Sequence, residues 1–163
     1  MLIAKQKRKE NIAEYILYLY QVEDLIRAFK FDMELIREKL VVTYQADEET
    51  SEQIADWYEN LVLMMEKERI QNKGHLQFIT NLIGDVNDLH QKLMETSVDK
   101  MYTGVFQAVS GLLSELKQKN SSAQNDIQLA LDTVYGYLLL KMKKTDVSEG
   151  TSEAVKRLSQ WLG

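Results

Sequence analysis

The 163 residues of this chain contain no proline, and this absence limits the folds that the chain can adopt. At the average usage of roughly 5%, about eight would be expected. Proline interrupts helices, and here apolar residues recur with the helical period of about 3.6 residues along almost the whole chain. No stretch of useful length alternates with the period of two that is typical of a strand. The sequence therefore predicts an all-α protein.

Capping and turn residues divide this helical pattern into six or seven segments. Asp32 has the position of an N-cap, Thr50 and Gln53 have the spacing of a capping box, and Gly74 has the position of a helix C-terminal stop. The predicted helices cover about residues 9–30, 32–44, 50–73, 75–95, 97–119 and 123–144, followed by a short C-terminal helix capped by Ser148 or Thr151.

Two of these helices, helix 1 (about 9–30) and helix 6 (about 123–144), carry apolar residues around almost their whole circumference. A helix of this kind is buried on several sides, so we expect both to lie at the centre of the fold. No linker is longer than a few residues, and no repeat of fixed period is present. The sequence thus predicts one compact helical bundle, a single domain over residues 1–163.

The charge of the chain argues against a surface built for nucleic acid. The formal net charge is −5, and the sequence pI is near 5.1. The sharpest basic feature is a short cluster, Lys5, Lys7, Arg8 and Lys9, which we interpret as a solvated helix start. The alternative is an arm that binds phosphate groups and gives weak nucleic-acid binding.

Membrane and export signals are missing from the sequence. No segment approaches the roughly 20 apolar residues that span a bilayer. The apolar run that begins at Ile12 contains Glu14 and Gln21 and lacks the small residues of a signal-peptide cleavage site. We therefore expect a cytoplasmic protein that does not associate with membranes.

The residues that most enzyme and metal sites require are also missing. The chain has no cysteine and only two histidines, neither of which follows a glutamate by three positions. It has no glycine-rich phosphate loop, and Ser110 lacks the glycine pattern of a nucleophile elbow. We therefore expect no metal and no cofactor, and we favour a non-enzymatic protein whose catalytic residues, if any, are unknown.

A group of polar side chains on the first predicted helix is the strongest candidate site. Glu23 follows Ile16 and Leu19 at helical spacing, so it points toward the buried face, and Arg27 lies one turn later. A buried carboxylate must be paired, protonated or part of a site. We interpret Glu23 and Arg27 as a structural ion pair, with a ligand-binding pocket or a partner interface as alternatives, and the cluster also contains Gln21 and Asp24.

The two histidines complete this candidate polar cluster. His90 lies on the apolar stripe of helix 75–95, which favours a neutral core histidine over a ligand-binding or proton-transferring one. His75 follows Gly74 at the predicted start of the same helix, a position that favours a capping or surface role.

Small residues are spaced along one face of the fifth predicted helix. Gly104, Ala108 and Gly111 follow each other at intervals of four and three. Such a face lets another helix approach closely, which we take as its role, with a groove for a flat ligand as the alternative.

Several stretches of the chain resemble a known family. They are KRKENIAEYILY at 7–18, QVEDLIRA at 21–28, WYE at 57–59, KGHLQ at 73–77, DLH at 88–90, YG at 135–136 and LLL at 138–140. Together they resemble the bacterial family named domain of unknown function 4924, and the resemblance covers nearly the whole chain. It implies an all-helical protein without an assigned activity, so it carries no catalytic residue over to this sequence.

These observations favour a non-enzymatic helical interaction module that forms a homodimer. Trp161 and Leu162 close the chain without a charged tail, so we expect a second copy to cover them. The first alternative is a bundle that binds a small molecule or metal, with or without enzymatic activity, around Glu23, Arg27 and His90. The second alternative is weak nucleic-acid binding through the basic N-terminus.

Overall fold

The computed structural model describes residues 1–144 and 146–163. Helices account for 79% of the chain, and no described residue belongs to a strand, which confirms the all-α prediction. The described residues form eight α-helices rather than six or seven, together with a short 3-10 helix (Val41–Tyr44). The α-helices are α1 (Leu2–Glu10), α2 (Ile12–Ala28), α3 (Met33–Lys39), α4 (Glu48–Lys67), α5 (Gln77–Thr96), α6 (Lys100–Lys119), α7 (Asp126–Met142) and α8 (Glu149–Leu162).

The additional helix arises because the helix predicted over 9–30 is interrupted at Asn11. The backbone of Asn11 is extended, with φ −155° and ψ 109°, and its side chain accepts hydrogen bonds from the N–H groups of Ala13 and Glu14. This is an N-cap, in which the asparagine oxygen satisfies backbone donors that a helix start leaves free. Asn11 therefore ends α1 and starts α2.

Side-chain caps also set the boundaries of the other helices. Asp32 and Ser148 cap α3 and α8, as predicted. Asp47, rather than Thr50, caps α4, because its carboxylate accepts the Thr50 N–H and thereby starts the helix earlier. Helix α4 ends at Lys67, well before the predicted stop at Gly74.

The internal contacts of the chain separate it into two compact units, Met1–Thr80 and Asn81–Gly163. The boundary between them falls within α5. A single domain over residues 1–163 therefore stays a prediction.

The first unit contains α1 to α4 and the start of α5. Helix α2, one of the two helices predicted to be central, buries side chains on several of its faces. The most deeply buried residues of the unit are large and mostly aliphatic: Ile16, Leu19, Tyr20, Ile26, Ile36, Tyr58, Met65, Leu76 and Ile79. Burial of such side chains is the main favourable contribution to folding.

In the second unit α6, α7 and α8 pack on one another. Helix α7, the other helix predicted to be central, has its buried residues only between Ile127 and Val134. Further along the helix, Leu138 is 42% exposed and Met142 is 64% exposed. The rest of the core comes from α5, α6 and α8: Ile83, Val109, Leu113, Val155, Leu158 and Trp161.

Candidate functional site

Glu23 is one of two buried polar or charged side chains among the described residues, and only 2% of it is exposed. It lies on the inner face of α2, as its spacing predicts. Its Oε1 accepts a hydrogen bond from the Leu76 N–H at 2.8 Å, and its Oε2 accepts one from Nδ1 of His75 at 2.6 Å. Both oxygens of the carboxylate therefore have donors, which is what burial of a carboxylate requires.

His75 is held on two sides. Its ring stacks on Tyr20 with the centroids 3.9 Å apart and the planes 11° from parallel. Its Nδ1 is bound to Glu23, while 28% of the side chain stays exposed. In the neutral imidazole this arrangement places the proton on Nδ1 and leaves Nε2 as a proton acceptor.

Arg27 binds the same loop as Glu23 but does not pair with it, so the predicted ion pair between these two residues is wrong. The guanidinium donates to the carbonyl oxygen of Ile70 from Nε at 3.2 Å and from Nη2 at 3.1 Å, and to that of Gly74. Its Nη1 donates to Asp24 at 3.1 Å. Backbone groups of residues 70–76 and the imidazole of His75 bind the side chains of Arg27 and Glu23. These groups take the place of the ion pair that was expected between the two residues.

Glu23 and Arg27 together therefore anchor the segment that joins α4 to α5. Gly74 in this segment has φ +100°, a conformation that other residues rarely adopt. At the end of the segment, Glu68 accepts the N–H of Gln77 at 2.8 Å. The remaining member of the predicted cluster on α2, Gln21, is exposed and lies outside this network.

The structure gives His90, in the second unit, a set of partners of its own. His90 is 3% exposed, and its Nδ1 lies 2.6 Å from the hydroxyl of Tyr102. That hydroxyl also accepts the indole N–H of Trp161 at 3.3 Å. The imidazole ring contacts the rings of Phe106 and Trp161, with centroids 4.5 and 5.2 Å away.

Burial lowers the pKa of His90, although the charge of Asp126 acts in the opposite direction. Burial likewise raises the pKa of Tyr102, while the hydrogen bond from Trp161 lowers it. His90 is thus a neutral core histidine near pH 7, the interpretation that its position on an apolar stripe favours.

Trp161 is itself buried, contrary to the expectation that the end of the chain leaves it uncovered. Its ring packs against those of His90 and Phe106 inside the second unit. The predicted reason for self-association through this residue is therefore absent.

A chain of three tyrosine hydroxyls in the first unit was not predicted. The hydroxyl of Tyr44 lies 2.9 Å from that of Tyr18 and 3.0 Å from that of Tyr58. The hydroxyl of Tyr18 also donates to Sδ of Met1 at 3.8 Å. The frequency of tyrosine in the sequence is a weak signal for such a chain, because the residues come from three separate elements.

The small residues of α6 do not receive a neighbouring helix among the described residues. Gly104, Ala108 and Gly111 are all exposed, and a Cβ atom added to either glycine would meet nothing within 4 Å. The close helix packing predicted for this face is therefore wrong for the described part of the chain.

The basic cluster near the N-terminus lies on α1. Lys7 pairs with Glu14 at 3.5 Å and lies over the ring of Tyr18, and Arg8 lies over the ring of Tyr15. Lys7 and Arg8 thus contact side chains of α2, and Lys5, Arg8 and Lys9 are exposed.

Two further observations concern metals and membranes. In the chain outside position 145, no three His, Asp or Glu side chains are grouped so that they could hold a metal ion. None of the helices that the structure describes has the length and hydrophobicity needed to cross a lipid bilayer.

The fold and these sites define an all-helical protein whose buried polar side chains bind its own loops and aromatic residues. The chain belongs to the family described as Domain of unknown function (DUF4924), whose profile matches residues 1–163. This confirms the resemblance seen in the sequence. No curated protein and no solved structure is significantly similar to the chain.

Proposed function

We propose that this protein is a non-enzymatic helical interaction module that forms a homodimer in the bacterial cytoplasm. The observation that carries the proposal is the apolar stripe of α7. Ile127, Leu131 and Val134 lie on this stripe and are buried. Leu138 and Met142 continue it at helical spacing but are 42% and 64% exposed.

An apolar stripe that continues beyond its own core is typical of a protein-binding surface. A second copy of the chain is the partner we propose, because a two-fold symmetric dimer needs only one such surface and is the commonest assembly of soluble proteins. The internal use of Glu23, Arg27 and His90 supports a structural role for these residues.

Light scattering coupled to gel filtration at tens of micromolar protein tests this proposal. We expect the parent to elute with twice the mass of the 18.9 kDa chain. A double variant, Leu138→Lys with Met142→Lys, adds charge to the stripe beside Lys141 and Lys143, and we expect it to be a monomer.

Leu63→Lys is the matched control, since Leu63 is similarly exposed but lies on α4 in the first unit. It should leave the mass unchanged. A monomeric parent, or a double variant that remains a dimer, would contradict the proposal.

A further inference from the structure

A cavity of about 230 Å³ lies in the first unit, between the start of α1 and the start of α4. Leu2, Ile3 and Ile54 supply much of its apolar lining. Leu2 is 74% exposed and Ile3 is 40% exposed, so the mouth of the cavity presents hydrocarbon to water. A ligand with an apolar part would cover this surface.

The cavity lining contains a basic side chain and no acidic one. Lys5 lines it from α1, and none of the lining side chains is acidic. Lys5 makes no ion pair with any residue in the described part of the chain, whereas Lys7, two positions later, is paired with Glu14. The lining therefore favours an anionic ligand group over a cationic one.

Tyr44 brings the tyrosine chain to the wall of this cavity. Burial raises the pKa of both Tyr18 and Tyr58, and hydrogen bonding to Tyr44 raises it further, so these hydroxyls remain protonated donors at all physiological pH values. The Tyr18 hydroxyl donates its single proton to the sulfur of Met1, so it accepts the hydrogen bond from Tyr44. Tyr44 in turn accepts a hydrogen bond from Tyr58. The chain of donors thus ends on a thioether, a weak acceptor.

We propose that this cavity binds a small aliphatic carboxylic acid in its ionised form. The carboxylate accepts the hydroxyl proton of Tyr44 and pairs with Lys5, and the hydrocarbon lies against Ile3 and Ile54. Tyr18 and Tyr58 then both donate to Tyr44, whose oxygen has two lone pairs to accept them.

This rearrangement replaces the thioether with a carboxylate as the final acceptor of the hydroxyl chain. Hydrogen bonds to an ionised acceptor are roughly twice as strong as neutral ones, and chains of hydroxyls strengthen one another. Tyr44 is therefore a better donor to an anion than an isolated tyrosine is.

The size of the cavity limits the acid. A water molecule takes about 30 Å³ in the liquid. On that scale the cavity of about 230 Å³ has room for roughly eight non-hydrogen atoms, as many as hexanoate contains. We therefore choose hexanoate as the probe.

Isothermal titration calorimetry at pH 7 with four probes tests the chemistry of the site. We expect hexanoate to bind in the millimolar range or tighter, and 1-hexanol, hexylamine and inorganic phosphate to bind at least tenfold more weakly. If phosphate binds as tightly as hexanoate, the cavity binds any anion. If 1-hexanol binds as tightly as hexanoate, the cavity binds any hydrocarbon chain. Either result, or no binding of hexanoate at tens of millimolar, would overturn the proposal.

Variants of the lining locate the binding. Lys5→Met and Tyr44→Phe should each weaken hexanoate binding at least tenfold, and Ala46→Leu should abolish it by filling the cavity. Lys9→Met, on the same helix, and Tyr137→Phe, in the second unit, are the matched controls and should leave the affinity unchanged.

Circular dichroism and thermal melts establish that each variant is folded. Lys5 is exposed, so Lys5→Met tests the proposal even if Tyr44→Phe fails to fold. Hexanoate binding that survives both Lys5→Met and Ala46→Leu would place the ligand elsewhere and contradict the assignment.

Discussion

Buried polar residues in this protein bind its own backbone and rings. The burial of Glu23 follows from its spacing on α2, because a helix brings residues three and four apart to the same face. Its partner could not be predicted in this way, since His75 is 52 residues away in sequence. Only the path of the chain after α4 brings the imidazole and the Leu76 N–H to the carboxylate.

Replacement of Glu23 by alanine should destabilise the protein. The change leaves the Leu76 N–H and Nδ1 of His75 without their acceptor and opens a small cavity. We expect a loss of about 3 kcal/mol in the free energy of unfolding, since a hydrogen bond to a charged group contributes about 1.5–3 kcal/mol. The melting temperature should fall by roughly 6–12 °C, which a thermal melt followed by circular dichroism measures.

Glu14→Ala is the matched control for this substitution. Glu14 lies on the same helix, but it is exposed and pairs with Lys7 at the surface, so its removal should cost less than about 1 kcal/mol. A Glu23→Ala variant that melts at or above the parent temperature would instead place Glu23 at a ligand site.

His90 should make stability depend on pH. Burial keeps its pKa in the folded protein below the ordinary value of 6.5, so the unfolded chain takes up the proton first as the pH falls. The free energy of unfolding should therefore decrease as the pH falls from about 7.5 through 6.5 and below.

Urea unfolding at a series of pH values measures this slope, and His90→Gln is the comparison variant. The variant is less stable throughout, but its stability should depend less on pH, because the group that titrates has been removed. Parallel pH dependences for the parent and His90→Gln would show that His90 does not contribute.

Among the helices, α1 and α6 differ most from prediction. The break between α1 and α2 has a local signal in the spacing of Asn11 and Glu14, which resembles a capping box. The open face of α6 has no such signal, because small residues suit both a close helix contact and an exposed helix. Which of the two occurs depends on what the rest of the chain places beside Gly104 and Gly111.

Replacement of Gly104 and Gly111 by alanine should stabilise α6. Both glycines are exposed inside a helix, and an added Cβ meets open space. Alanine is favoured over glycine by about 0.5–1 kcal/mol at such positions. The double variant should therefore raise the melting temperature by roughly 2–8 °C, at about 2–4 °C per kcal/mol.

Gly74→Ala is the control, a glycine replacement that should destabilise the protein. Gly74 has φ +100°, and its added Cβ would lie 3.4 Å from Cγ2 of Ile70, so the variant should melt below the parent. A lower melting temperature of the double variant would contradict this prediction and show that this face of α6 is covered in an assembly.

For the whole molecule, the two compact units explain why the members of the predicted polar cluster have different partners. Glu23, Arg27 and His75 belong to the network of the first unit, and His90 belongs to that of the second. The sequence places Glu23 and His90 on apolar helix faces, but it contains no signal that assigns them to different units. Trp161 is a similar case, since its position near the end of the chain does not reveal that it packs against His90 and Phe106.

The helical class, most helix positions, the burial of Glu23 and His90, and membership of the family can all be read from the sequence. All of these follow from local rules: the 3.6-residue period, the residues that cap helices, and motifs read along the chain. Which groups meet depends on the tertiary structure: Glu23 with His75, His90 with Tyr102, and the hydroxyls of Tyr18 and Tyr58 with that of Tyr44 at the cavity wall. These contacts join residues from separate elements, and no local pattern encodes a pairing that depends on how the intervening chain packs.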